Sequence, residues 1–492
     1  MELISQDITG GIQEILGSSY HIVPELMLVI AAIALLLVEL ISKNANWKIK
    51  TGISLVFVFL TLATISFSSD SNQLFGGALV SDGLSHMFEA IFLLTLLVCF
   101  VFPKGKKEIR KLGEYHFLLF SLVLGAFLVI KAQNLLIFYL SLELISISSY
   151  ILTNLGMRKQ GYEAGIKYLL FGALASGVML YGMSLLYGLQ GSLDIQVVLG
   201  SATGTSLEMV AIFLFSAGVL FKLSMVPMHI WTPDVYEATP ISVVAVFSVI
   251  PKLAALAFIF RSISFITSET VLLNFTQVVS WLAIISMFVG NLGAIWQKNA
   301  KRMMAYSSIA HAGFLIIAVV LHDQFGLQAI LFYSAVYALM NLGTFYFIAL
   351  MEGNGLNEIS DYKGVGKKSI LISVSLVVLM ISLTGLPPTG GFTAKLLLFS
   401  AVWAKYEVTQ YSFLLWLFVL GLVNTVIALF FYLKIPYVSI FKKHEESDSL
   451  KITLKDGMIF SLISLLILVL FFKPDLLFDF TNKINFVFSS QP

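Results

Sequence analysis

Apolar runs long enough to cross a bilayer recur along the whole chain, and this repetition constrains the fold more than any other feature. A helix needs about 20 apolar residues to cross a hydrocarbon core of about 30 Å. Fourteen such segments are read, at 23–42, 50–67, 83–102, 114–130, 134–155, 165–187, 207–231, 240–260, 271–296, 303–321, 325–350, 369–404, 412–433 and 457–472. Each must satisfy its own backbone in lipid, so the runs predict an all-α polytopic membrane protein. Charged residues make up 12% of the chain, against about 25% in soluble domains. A net charge of +2, with no basic patch interleaved with aromatics, gives no reason to expect a nucleic-acid partner.

The connections alternate in charge. Those after the first, third, fifth, ninth, eleventh and thirteenth segments carry 21 of the 30 Lys and Arg. The opposite side carries Lys131, Arg261, Lys405, Lys473 and Lys483. Positive loops stay cytoplasmic, so both termini are expected to face outward. The stretch Met1–Glu25 has no Lys or Arg, so the first segment is expected to be a retained span rather than a signal peptide. The lone cysteine, Cys99, sits in an apolar run and fits a small buried residue. One thiol holds neither an iron–sulfur cluster nor a structural zinc, and no P-loop or Gly-rich nucleotide fingerprint is present. No cofactor or metal is therefore expected on this chain.

Four lysines fall inside spans: Lys167, Lys222, Lys252 and Lys395. An intramembrane cation costs at least about 2.5–3.5 kcal/mol, so four of them call for a reason. Snorkelling is open to Lys167, near the end of its span. It is closed to Lys252 at mid-span, whose side chain of roughly 6 Å reaches neither interface at about 1.5 Å of rise per residue. Lys222 precedes Pro227, and Lys395 follows Pro387 and Pro388. Proline frees backbone carbonyls. Lysines beside two such breaks point to hydrated half-channels, and two merely kinked packing helices are the plainer reading. Glu143, deep in the fifth segment, is expected to pair with Lys222 as a coupled titration. Glu39 and Glu89 are weaker candidates. His311 in the tenth segment is a candidate relay, and His229 beside the first break is a candidate at a cytoplasmic mouth.

The broken segments, seventh and twelfth, lie five spans apart and so run in opposite directions. Interrupted segments at matching positions of two halves mark inverted-repeat transporters. The expected organisation is an N-terminal three-helix addition (1–110), a first five-helix repeat (111–265, helices 4–8), a second, inverted repeat (266–440, helices 9–13), and a cytoplasmic loop with the last helix (441–492). This places Lys222 opposite Lys395, and the span of Glu143 opposite that of His311.

The stretch LFKLSMVPMHIWTPDVYEATPISVVAVFSVIPKLAALAF from Leu220 resembles the subunit N family of proton-pumping NADH–quinone oxidoreductase, respiratory complex I. So do EAGIKYLLFGALASG from Glu163, KNAKRMMAYSSIAHAGF from Lys298 and SLTGLPPTGGFTAKLLLF from Ser382. The resemblance covers nearly the whole chain, and the WTPDVYE element distinguishes it from the larger antiporter-like subunits. It implies a proton-translocating subunit of the membrane arm, in a bacterial inner membrane. FMN, iron–sulfur clusters and quinone would sit on other subunits. Antiporter-like subunits and a small membrane subunit would be its neighbours. Glu143, Lys222, Lys252 and Lys395 match the family's proton pathway, and Lys167 matches a lysine near the Glu–Lys pair. The expected mechanism is that quinone reduction elsewhere shifts the Glu143–Lys222 separation. Lys222 then passes its proton through Lys252 toward Lys395 and the outside. The alternatives are a subunit of a multi-subunit sodium/proton antiporter, a subunit of a membrane-bound hydrogenase related to complex I, and a structural spacer.

Overall fold

The computed structural model describes residues 17–41, 47–65, 71–103, 112–156, 159–442, 453–481 and 484. Several basic connections (42–46, 104–111, 157–158 and 443–452) and residues 1–16 lie outside the described residues. The fold begins with α1 (Val23–Ile41), α2 (Trp47–Thr64), a short antiparallel hairpin of β1 (Asn72–Leu74) and β2 (Leu79–Ser81), then α3 (Gly83–Val101). Next come α4 (Leu112–Lys131), α5 (Leu135–Thr153), α6 (Lys159–Gln190), α7 (Ile195–Gly200), α8 (Ser206–Leu223), α9 (Trp231–Ala238) and α10 (Ile241–Ile263). The second half holds α11 (Glu269–Ile295), α12 (Ala300–Leu315), α13 (Ile317–Leu321), α14 (Gln324–Gly353), α15 (Val365–Lys368), α16 (Ile370–Thr384) and α17 (Gly390–Thr409). The chain continues through α18 (Ser412–Pro436), α19 (Leu454–Phe472) and α20 (Asp475–Thr481). Thirteen stretches are long and apolar enough to cross a membrane, with α12 and α13 forming one of them. The broken pair α16–α17 supplies the fourteenth segment. The architecture is the expected all-α, multi-pass one; the hairpin before α3 was not anticipated.

Both expected breaks occur. Helix α8 closes at Ser224 in the left-handed conformation (φ 58°), and α16 closes at Gly385 in the same conformation (φ 84°). In each, a residue beyond the cap turns back on the helix. The Met225 N–H donates to the Leu220 carbonyl at 3.0 Å, and the Leu386 N–H to the Ile381 carbonyl at 3.1 Å. These C-terminal motifs satisfy some of the carbonyls a helix end leaves free and redirect the chain. Helix resumes at Trp231 in one case and at Gly390 in the other.

Helix α10 is the axis of the bundle. Every one of its 23 residues is buried, and α3, α4, α5, α8, α12, α13 and α14 pack around it. A helix apolar on all sides belongs inside a bundle rather than against lipid. The outer helices α1, α2 and α19 bury about a third of their spans or less.

Close helix pairs recur in the two halves. A Cβ on Gly125 of α4 would lie 2.9 Å from the Ser141 carbonyl oxygen of α5. A Cβ on Gly290 of α11 would lie 2.7 Å from the Tyr306 carbonyl oxygen of α12. Only glycine permits such approach. The spacing along the chain that carries Gly125 to Gly290 also carries Ser141 to Tyr306 and Glu143 to Ser308. At this spacing Glu143 falls on Ser308, one turn before His311.

Two cations read from sequence as belonging to outer connections are buried instead. Lys131, the last residue of α4, is 1% exposed and forms ion pairs with Glu25 of α1 (2.6 Å) and Glu89 of α3 (2.7 Å). The guanidinium of Arg261 at the end of α10 donates two hydrogen bonds to Asp82 (2.7 and 2.9 Å), and its Nε donates to the Ile130 carbonyl. Asp82 also caps α3 through the Ser85 N–H. Burial alone would raise the Asp82 pKa, but the Arg261 guanidinium overrides it and holds the carboxyl below its usual range. These contacts tie α1, α3 and α4 to the axial helix.

Candidate proton-relay site

Lys252 sits midway along α10, just after Pro251, and is 1% exposed. Its ammonium donates to the Ser308 carbonyl at 3.1 Å and to the Ser308 hydroxyl. The Tyr236 hydroxyl lies 3.4 Å from the same Ser308 Oγ. The lysine thus holds two oxygen ligands on α12 and, among the described residues, no carboxylate.

One face of α12 then leads to the second break. Ser308, His311 and Phe314 recur every three residues and so share a stripe. His311 is buried, with Nδ1 2.9 Å from the Tyr333 hydroxyl and Nε2 3.0 Å from the Tyr432 hydroxyl. Tyr432 in turn bonds the hydroxyl of Ser307. Both Lys252 and Lys395 are within electrostatic reach of the imidazole. Lys395, on α17, is buried, and its ammonium lies 4.2 Å from the Phe314 ring centroid. It donates to the Thr384 carbonyl at 2.8 Å, one of the carbonyls freed where α16 ends. A cation at a helix C-terminus also meets the negative end of the macrodipole.

The first break holds its lysine differently. Lys222 lies in the last turn of α8 and is 3% exposed. Its Nζ makes no hydrogen bond among the described residues. Instead it faces rings, with the centroids of Tyr150 and Tyr168 each at 5.8 Å and Phe221 at 5.5 Å. The expected direct pair with Glu143 is not made. The half-buried Glu143 carboxylate accepts from the Ser176 hydroxyl of α6 and acts on Lys222 only electrostatically. The cause is local, because Ser176 supplies a donor to the carboxylate and the aromatic ring set surrounds the ammonium. Tyr168 stacks on Trp231 (4.2 Å) and packs on Phe247 of α10 (6.0 Å), so aromatic side chains connect Lys222 to the axial helix.

Lys167 does not join the buried series. The long α6 begins at Lys159, outside the expected segment, and the Lys167 side chain is 42% exposed. It bridges Glu163 and Asp234, each at 3.0 Å, while Arg302 binds Asp234 and Glu237, each at 2.8 Å. This network borders a cavity of about 220 Å³ lined by Gln160, Glu163, Lys167, Asp234 and Glu237. His229 lies in the first break, half-buried, and Pro227 beside it is exposed. Glu39 pairs with the buried Lys50 of α2. Because Arg302 keeps Asp234 paired without Lys167, Lys167→Ala should leave the melting temperature of the assembled protein unchanged. Arg302→Ala, which strips Glu237 of its ion pair and leaves Asp234 to Lys167 alone, should lower it. A larger drop for Lys167→Ala would show that this lysine anchors the network.

The sequence reading missed the hydroxyls: Ser176, Ser307, Ser308, Tyr333 and Tyr432. A signal existed in AYSSIAHAGF, where two serines stand one turn before a buried histidine. The tyrosines come from α14 and α18, remote in sequence, and only the fold brings them to His311.

Comparison with known proteins identifies the family. The family described as NADH:quinone oxidoreductase/Mrp antiporter, TM, matches residues 132–427. The chain is 34% identical to NADH-quinone oxidoreductase subunit N 2 of Chloroherpeton thalassium, covering 94% of this chain and 95% of that one. It is likewise 34% identical to the subunit N of Pelagibacter ubique, over 95% of this chain and 99% of the relative. Among solved structures, a chain of respiratory complex I from Thermus thermophilus aligns with a TM-score of 0.78 at 29% identity, covering 93% of this chain and 98% of that one. A chain of the Mrp complex from Dietzia aligns at 0.81 with 20% identity, covering 95% and 97%, and this likeness shows the fold alone. The chain belongs to the subunit N family of NADH-quinone oxidoreductase, a family of multi-pass membrane subunits of that enzyme.

Proposed function

We propose that this chain carries protons across the bacterial inner membrane along Glu143, Lys222, Lys252 and Lys395, driven by quinone reduction elsewhere in the complex. The observation that carries the reading is the stripe Ser308–His311–Phe314 of α12, which holds Lys252 at one end and Lys395 at the other. Buried lysines with oxygen ligands, a histidine between them and a helix break at the last form a route with titratable stations. Glu143 and Lys222 form the switch. When the carboxylate nears the ammonium it favours the charged amine, and when it withdraws to Ser176 the proton is released inward. A shift of a neighbouring subunit against α5 or α6 would move Glu143, because both helices expose apolar faces for such a neighbour. A two-state pair biased from outside is the minimum for coupling.

The rest of the reading follows the family. FMN, iron–sulfur clusters and quinone belong to other subunits, and antiporter-like subunits and a small membrane subunit are the neighbours. The charge asymmetry of the loops places both termini outside. Residues 111–265 and 266–440 are the two inverted half-channels, with 1–110 and 441–492 added around them. His229 and the Lys167 network are placed at the cytoplasmic mouth.

Lys222→Ala, assembled in the complex and reconstituted in vesicles, should slow proton transfer through this subunit by about 100-fold or more, the lower end for a positioned proton-transfer group. Undiminished proton translocation per quinone reduced, in a complex shown to contain the variant, would sink the assignment.

A further inference from the structure

We propose that Lys405 and His322 form the port through which protons leave Lys395 for the outer solution. The inference rests on the role of Lys395 given above and extends it. Both lysines lie on α17, ten residues and about 15 Å apart along the helix, and both engage the same neighbouring span. Lys395 faces Phe314 of α12. The ammonium of Lys405 donates to the Leu321 carbonyl at 2.7 Å and the Val320 carbonyl at 3.3 Å, at the end of α13. It lies 3.2 Å from Nδ1 and 3.4 Å from Nε2 of His322. His322 closes α13 in the left-handed conformation (φ 39°), which turns its ring back over the helix end.

Both side chains line a cavity of about 580 Å³ between the start of α11 and the junction of α17 with α18. Glu269, Thr267 and Tyr411 add polar groups to its wall. A space of that size with such partners holds water. Asp323, the N-cap of α14, is the other charged group acting on Lys405, and it is occupied by the Gly326 N–H at 2.7 Å. Burial, with the Lys405 ammonium beside it, holds the His322 pKa down to about 4, so the ring is neutral at physiological pH. A neutral ring can accept a proton from Lys405, and because it holds that proton weakly it passes it on to cavity water. His322 Nδ1 donates to the Val320 carbonyl at 2.9 Å, which leaves Nε2 as the acceptor, so in the step an N–H bond of the Lys405 ammonium breaks as one forms on Nε2, 3.4 Å away. His322 then gives that proton to cavity water, and the neutral Lys405 amine is reloaded from Lys395. The chain ends the cycle unchanged.

A cap on α13 would be the purely structural role of Lys405, and Lys405→Arg separates the two. Arginine keeps the cationic cap but does not deprotonate. His322→Asn removes the ring while tolerating positive φ. In the intact complex reconstituted in vesicles, with assembly verified, both variants should fall to the proton translocation of the Lys395→Ala complex. Residual translocation should also lose the wild-type dependence on outer pH. Full translocation by Lys405→Arg and His322→Asn, with translocation lost in Lys395→Ala, overturns the port and leaves the pathway intact. Full translocation in Lys395→Ala as well overturns the pathway itself.

Discussion

Replacing Lys252 with methionine should give a chain at least as stable as the natural one that no longer passes protons. The two effects share one cause. The Lys252 ammonium sits at mid-span in a helix buried on every side, where a cation costs at least about 2.5–3.5 kcal/mol. Its ligands are the carbonyl and hydroxyl of Ser308, with no anion among the described residues to offset the charge. Methionine has similar length and no charge, so the packing of α10 survives while the desolvation cost disappears. The lost ammonium is also the station between Lys222 and the His311 stripe, and no second titratable group on α10 replaces it at that depth. The complex carrying Lys252→Met should therefore melt at the same or a higher temperature and lose proton transfer through this subunit. Ser308→Ala, which removes one neutral ligand but keeps the buried cation, should instead lower the melting temperature while costing less proton transfer than Lys252→Met. The loss of one hydrogen bond to a charged group is worth roughly 1.5–3 kcal/mol. Thermal melting of the purified complex and proton uptake in vesicles measure the two arms. A variant that melts early would mean Lys252 holds the bundle together, and a variant that pumps normally would remove it from the route.

That opposition between stability and use also explains what could be read in the sequence. A charge in lipid is costly wherever it stands, so Lys222, Lys252 and Lys395 stood out against their apolar surroundings without any structure. The helix breaks were legible for a similar reason, since Pro227 and the Pro387–Pro388 pair interrupt runs that nothing else interrupts. Most span limits came within a few residues because apolar length is itself the physical requirement, but α8 ends at Leu223, eight residues short of the seventh segment as read, and α6 starts at Lys159, six residues before the sixth. What failed involved partners. Lys131 and Arg261 stand at the ends of apolar runs, and a cation there snorkels unless a carboxylate is folded against it. Glu25, Glu89 and Asp82 do that from helices far away in sequence. Lys167 was misplaced for the reverse reason. An apolar run surrounds it, but α6 reaches beyond the membrane-length segment, and Asp234 draws it to a surface network. The Glu143–Lys222 pair was expected in contact because opposite buried charges attract, and nothing in the linear sequence revealed that Ser176 takes the carboxylate.

Lys131→Met should destabilise the assembled protein severely, in contrast to Lys252→Met, although both remove a buried lysine. Lys131 is held by two carboxylates, Glu25 at 2.6 Å and Glu89 at 2.7 Å, and none of the three is more than 4% exposed. Methionine at this site leaves both carboxylates in the interior with no counter-ion. Removing one partner of a buried ion pair costs about 3–5 kcal/mol, and here one substitution strands two acids. Nearby charges give little relief, because Arg261 is already committed to Asp82 by two hydrogen bonds. His86, one turn before Glu89, is bonded to Ser81 through Nε2 at 3.0 Å. The damage should be confined to the packing of α1 and α3 against α4, so that the chain enters the membrane but assembles poorly. Native gel electrophoresis of the solubilised complex and its melting temperature would show the loss. Neutralising the acids together, as Lys131→Met with Glu25→Gln and Glu89→Gln, should recover most of it, because the cost lies in unpaired charge rather than in lost volume. The idea fails if Lys131→Met assembles and melts like the natural chain, or if the triple variant is no better than the single one. Recovery by the triple variant, with proton translocation retained, would place this buried triad in the frame of the molecule and outside the route through Lys252.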